Sequence, residues 1–95
     1  MSQRVEKTLV IKNDLGLHIR TAGKLVGTAN RFQASVKMAK DDYEVDGKSI
    51  MGVLTLMAPK GTEILFTVCG EDALECMEAI EGLIESRFDE TGGTA

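Results

Sequence analysis

The chain has no tryptophan, one tyrosine, one proline, one histidine and two cysteines in 95 residues. Each scarcity excludes something. With Tyr43 nearly alone among large polar aromatics, there is no platform on which nucleic-acid bases could stack. The formal charge of −4 removes the basic footprint that general nucleic-acid binding needs; a local cluster around Arg20, Lys24 and Arg31 stays open. Cys69 and Cys76 form neither a CxxC pair nor a zinc pattern, and are expected as buried structural thiols. A single imidazole without a close thiol pair gives a metal little to bind, so no metal site and no cofactor is expected. No apolar run approaches the roughly 20 residues that span a bilayer. Residues 1–7 have no apolar stretch of the secretory kind, which predicts a cytoplasmic location and no membrane insertion.

What remains is a length and a hydrophobic fraction, 43%, suited to one compact core. A single domain is expected over 1–88, with a polar, glycine-bearing tail over 89–95 expected to be disordered. Thr8 to Lys12 reads as a strand with Leu9 and Ile11 on the core face, and Asn13 to Gly16 as a turn. Ala22, Leu25, Val26 and Ala29 recur at helical spacing, which predicts a helix over 19–30. Phe32 to Ala39 alternates like a strand, and Tyr43 to Asp46 returns beside it as a hairpin. Ser49 is a candidate N-cap for the short apolar segment 50–57. Pro59 and Gly61 end that segment. Thr62 to Cys69 is the last strand, with Ile64, Phe66 and Val68 inward. The final helix carries a stripe of Ala73, Met77, Ile80, Ile84 and Phe88, with Leu74, Cys76 and Leu83 beside it. The order β-α-β-β-α-β-α fits an α+β, open-faced β-sandwich: a four-stranded antiparallel sheet with three helices on one face.

His18 is the residue with chemical promise. It follows a glycine turn, precedes a helix and has Arg20 two positions on. A neutral imidazole nitrogen is a nucleophile toward phosphorus, and imidazole's reference pKa of about 6.5 suits reversible transfer near pH 7. The free N–H groups of a helix N-terminus would steady the acquired phosphate, and Arg20 could add a charged fork. The plainer reading is a surface histidine that caps the helix.

Three segments in order resemble the HPr family, the histidine-containing phosphocarriers of the bacterial phosphoenolpyruvate-dependent sugar phosphotransferase system. They are Gly16-Leu17-His18-Ile19-Arg20, Lys48-Ser49-Ile50-Met51-Gly52-Val53-Leu54-Thr55-Leu56 and Lys60-Gly61-Thr62-Glu63-Ile64, and the resemblance runs from about Thr8 to Phe88. It implies that His18 accepts a phosphoryl group on Nδ1 from enzyme I and passes it to IIA proteins, with Arg20 beside it. The chain would then be a carrier in a relay, not a free-standing enzyme. The resemblance also implies that Ser49 is a regulatory phosphosite for a serine kinase, and that apolar residues after it dock enzyme I. Ile19, Ile50, Met51 and Met57 are the candidate partner-binding residues; ordinary core packing is the other reading of Ile50 and Met51. A regulatory binding module of the same fold, with little part in sugar transport, is the alternative function. One departure is Thr21, where the family usually has proline. Threonine restores a backbone N–H and is expected to loosen the start of the helix.

Overall fold

The computed structural model describes residues 2–89. Four strands form one antiparallel sheet in the order β1-β4-β2-β3. The strands are β1 (Gln3–Val10), β2 (Ser35–Lys40), β3 (Tyr43–Asp46) and β4 (Glu63–Gly70). Helices α1 (Ile19–Ala29), α2 (Ile50–Thr55) and α3 (Ala73–Glu85) complete the fold, and a 3-10 turn over Arg87–Asp89 closes it.

The alternation read in the sequence decides the central sheet. Ile64, Phe66 and Val68 on β4 and Val36 and Met38 on β2 are fully buried. Val68 is opposite both Val5 and Val36, and Phe66 is opposite Met38, so the inward rows align across three strands. On α1 the buried residues include Ala22, Leu25, Val26 and Ala29. On α3 they are Ala73, Cys76, Met77, Ile80 and Ile84. Both helices are thus amphipathic with their apolar stripes in the core. Helix α3 lies against β1 and β4, and α1 packs against both α2 and α3.

Several boundaries differ from expectation for identifiable reasons. Strand β1 begins at Gln3 rather than Thr8, because pairing with β4 from Gln3↔Gly70 onward carries it. As an edge strand it keeps polar side chains, and Lys7 reaches over to Glu81 of α3 at 2.7 Å. Strand β2 starts at Ser35, not Phe32. The segment before it is held instead by Asp72, whose carboxylate accepts the Gln33 and Ala34 N–H groups at 2.9 Å each. Phe88 is fully buried but does not belong to the stripe of α3. That helix ends at Glu85, and Arg87, Phe88 and Asp89 all have φ between 57° and 59°. The left-handed turn swings Phe88 back under the sandwich, and Lys24 fixes it by donating to the Phe88 carbonyl at 2.7 Å. Leu74 is exposed, and Cys69 is only half-buried, whereas Cys76 is buried as expected. Asp89 belongs to the closing turn, one residue beyond the expected boundary. The rest of the expected tail, 90–95, lies outside the described residues. No helix among the described residues is long and apolar enough to cross a membrane.

Candidate functional site

The loop between β1 and α1 is built so that its end cannot drift. Gly16 has φ +70°, and a Cβ there would lie 2.5 Å from the Ala58 carbonyl oxygen. Only glycine lets the two backbones approach this closely. The next residue, Leu17, donates its N–H to that same carbonyl at 2.8 Å. Buried Asn13 donates through Nδ2 to the Gly16 carbonyl at 2.8 Å. The loop preceding His18 is therefore tied at once to itself and to the segment after α2.

His18 is the N-cap of α1, in extended backbone conformation, and is half-buried. Its Nδ1 accepts the Arg20 backbone N–H at 3.2 Å. The imidazole also accepts the N–H of Thr21 in a reciprocal capping box, in which the Thr21 hydroxyl accepts the His18 N–H at 3.0 Å. A neutral imidazole has one acceptor nitrogen. In the neutral ring both N–H groups therefore converge on Nδ1, which assigns the ring proton to Nε2. The nitrogen facing the helix is the one with the lone pair. The structure thus shows the cap reading of His18, with Nδ1 as the capping atom.

Thr21 is the residue whose expected effect the structure reverses. It does not loosen the helix start. It is completely buried. Besides receiving the His18 N–H, its hydroxyl donates to the Gly16 carbonyl at 2.9 Å. One side chain thus bridges the loop and the first turn. Nothing in the pattern of apolar residues could show this. The available signal was a threonine three residues after a polar cap, which is the spacing of a capping box.

Ser49 is the N-cap of α2, as expected, and its Oγ accepts the Gly52 N–H at 3.1 Å. Val53 and Leu56 face the core. Ile19, Met51 and Met57 are 71%, 75% and 74% exposed and Ile50 is 40% exposed. The core-packing reading of Ile50 and Met51 therefore fails. Leu15 on the turn before His18 is 73% exposed and escaped the sequence reading. A large apolar residue inside the polar turn Asn13-Asp14-Leu15-Gly16 was the sign of it. These residues belong to the β1–α1 loop, the first turn of α1 and α2 with its exit. The Leu17–Ala58 hydrogen bond links the first and last of these segments. Met57 has φ +51°, an unfavourable conformation for a residue with a Cβ. Lys40 helps to hold it there by donating to the carbonyls of Leu56 and Met57 at 3.1 and 2.9 Å.

The three cations singled out in the sequence are held differently. Arg20 is exposed at the site. Lys24 is engaged with the closing turn. Arg31 lies past the far end of α1, a helix of about 16 Å, and stacks over Phe32 at 5.7 Å. Asp14, beside the loop, pairs with Lys60 at 2.9 Å. The hydrogen bond from Lys60, with its charge, holds the Asp14 carboxyl below the usual range. Among the described residues no cluster of three or more His, Cys, Asp or Glu could hold a metal ion.

Residues 5–86 match the family described as the PTS HPr component phosphorylation site. The phosphocarrier protein HPr of Xylella fastidiosa strain 9a5c is 43% identical over 86 residues, covering 90% of this chain and 97% of that one. Among solved structures, HPr-C-His from Thermoanaerobacter tengcongensis superposes with a TM-score of 0.88 at 39% identity, covering 92% of this chain and 98% of the other. HPr from Bacillus anthracis str. Ames gives 0.82 at 37% identity, covering 85% and 96%.

Proposed function

The chain belongs to the HPr family of phosphotransferase-system phosphocarriers, and on that premise we propose that His18 is its phosphoacceptor. The observation that supports this most is the convergence of the Arg20 and Thr21 N–H groups on Nδ1. It leaves Nδ1 as the lone-pair nitrogen at a half-exposed position, already facing donors that a phosphoryl group can inherit.

Phosphorylated enzyme I docks on the exposed apolar residues Ile19, Ile50, Met51 and Met57. The flexible methionines suit a surface that must also receive IIA proteins. Nδ1 attacks phosphorus with its lone pair and the N–P bond forms. The donor's bond to phosphorus breaks, and its electron pair stays with the donor. The positive charge left on the ring is cleared when Nε2–H gives its proton to water or to the departing donor. Charge in this transition state is spread over the phosphoryl oxygens, where the N-terminal N–H groups of α1 and the Arg20 guanidinium stabilise it. Transfer to a IIA protein runs the same steps backward. The protein is a carrier of the group, working in the cytoplasm with partner enzymes and without a cofactor of its own.

Ser49 is the regulatory site in this reading, as substrate of a serine kinase. Its place at the start of α2, next to exposed Ile50 and Met51, would set a dianion among apolar docking residues. A purely regulatory relative would use that surface without phosphate on His18. The deciding experiment incubates the protein with enzyme I and labelled phosphoenolpyruvate and maps the label. Acid-labile label on His18 is expected; label elsewhere, or none, rejects the phosphocarrier reading.

A further inference from the structure

We propose that Thr21 contributes directly to the phosphoryl-transfer equilibrium, through its backbone N–H at Nδ1 of His18, while its hydroxyl sets the position of that N–H. The inference rests on His18 being the phosphoacceptor and adds a second residue that touches the reacting atom.

Two groups on Thr21 do different work. The N–H donates to the imidazole. The hydroxyl accepts the His18 N–H at 3.0 Å and donates to the Gly16 carbonyl at 2.9 Å, with the His18 carbonyl a second, longer acceptor at 3.3 Å. Complete burial of Thr21 keeps water from competing for either. The hydroxyl thereby fixes the distance between the loop and the first turn, and with it the angle at which two N–H groups meet Nδ1. When Nδ1 becomes bonded to phosphorus its lone pair is gone. The same two N–H groups then have only the phosphoryl oxygens as acceptors. These carry negative charge, and hydrogen bonds to charged acceptors are roughly twice as strong as those to neutral ones. Each N–H therefore favours the phosphorylated form over the resting form. With two donors the preference is larger than the Arg20 N–H alone could give. The Gly16 carbonyl keeps its bond from Asn13 when Thr21 is changed, so the loop stays closed in the variants that test this.

Three substitutions separate the two groups. Thr21→Ser retains both, Thr21→Val retains the N–H and loses the hydroxyl, and Thr21→Pro loses both, at a first-turn position that accepts proline. The first measurement is the equilibrium between a limiting amount of phosphorylated enzyme I and excess protein, with phosphoenolpyruvate absent. Thr21→Pro should shift that equilibrium toward enzyme I by about five- to tenfold, the excess of a hydrogen bond to a charged acceptor over one to a neutral acceptor. Thr21→Ser should match the parent. Thr21→Val, which keeps the N–H but frees its position, should shift the equilibrium the same way by about two- to threefold and lower thermal stability; a parental equilibrium in Thr21→Val would overturn the positioning role of the hydroxyl. The second measurement needs no donor: nitrogen-15 NMR of the His18 ring in the unphosphorylated protein. The parent should show the Nε2–H tautomer with a hydrogen-bonded Nδ1, and Thr21→Pro should weaken that signature. Ring shifts and an equilibrium in Thr21→Pro that equal the parent's would overturn the role of Thr21. A parent protein that takes no phosphate on His18 would instead reject the phosphocarrier reading, and the ring shifts would still decide whether Thr21 acts on Nδ1.

Discussion

Helices α1 and α2 begin in the same way and are tied down to different degrees. Each starts on a polar cap whose side chain accepts a first-turn N–H, His18 from Arg20 and Ser49 from Gly52. At α1 the bond is returned: Thr21 closes the box and ties it to the Gly16 loop. At α2 the serine acts alone on a helix of six residues. The reciprocal box makes the α1 cap rigid, and its accepting atom is the one proposed to react. The single bond at α2 stabilises the helix while leaving the hydroxyl half-buried and its neighbours Ile50 and Met51 exposed. One kind of local chemistry, N-capping, thus yields a doubly tied imidazole at one helix and a singly tied hydroxyl at the edge of an apolar surface at the other.

The strongest break in that comparison is at His18. His18→Ala should accept no acid-labile phosphate from enzyme I and should lose about 1 kcal/mol of stability with its cap. His18→Asn should also accept none, but asparagine is a good cap, so its thermal midpoint should lie close to the parent's. Phosphorylation of either variant at the parental rate would place the acceptor elsewhere. Equal destabilisation of both would show that the imidazole does more than cap.

At α2 the expected effects are smaller and fall on binding. Phosphate at Ser49 should weaken enzyme I association roughly a hundredfold, since about 2.7 kcal/mol suffices and desolvating an unpartnered charge costs several. Ser49→Asp should show a weaker loss of affinity with little change in stability. Ser49→Ala should do the reverse: about 1 kcal/mol less stable, with affinity retained. Calorimetry of binding and unfolding on the same variants checks both. Retained affinity in Ser49→Asp would reduce Ser49 to a cap.

The contrast between the two caps was only half visible in the sequence. Ser49 could be read because serine before an apolar run is a local signal, and the α1 stripe of Ala22, Leu25, Val26 and Ala29 could be read because burial follows helical period. The inward rows of β2 and β4 were legible for the same reason. Thr21 was misread because its effect depends on the Gly16 carbonyl, which only the folded loop brings within reach. Phe88 was misread because it fits the spacing of α3, while the chain turns left-handed at Arg87 before reaching it. The polar start of β1 was missed because its pairing with β4 supplies what its composition does not. The candidate docking residues were legible as apolar side chains, but only the structure separates exposed Met51 and Met57 from buried Val53 and Leu56.

Met57 sharpens the comparison at the other end of α2. Its φ of +51° costs about 1 kcal/mol for a residue with a Cβ, and glycine is the usual solution just past a helix end. Met57→Gly should therefore raise stability by up to about 1 kcal/mol and lower affinity for enzyme I severalfold, because an exposed apolar contact is gone. If the variant is both more stable and binds as well as the parent, Met57 has no place in docking.

Helix α3 supplies a third way to use the cap position, and the mildest test. Asp72 occupies that position but makes no cap hydrogen bond within its helix. Its carboxylate instead accepts the N–H groups of Gln33 and Ala34, and these bonds, the one from Gln33 foremost, lower its pKa from 3.8. A carboxyl with a lowered folded pKa contributes stability that is fully present above its unfolded value and is lost as pH falls through the folded one. Nothing should change at neutral pH. Below about pH 4 the parent should lose this contribution, and the clasp between α3 and the entry to β2 should weaken. Asp14 also titrates low, but through an exposed pair with Lys60 that salt screens. Unfolding free energies from pH 2 to 6, at low and at high salt, separate the two. In Asp72→Asn the acid-dependent loss should shrink at both salt concentrations; in Lys60→Ala it should shrink only at low salt. An unaltered acid profile in Asp72→Asn would mean that the carboxylate's two backbone bonds do not hold α3 to β2, and that α3, unlike α1 and α2, does without its cap residue.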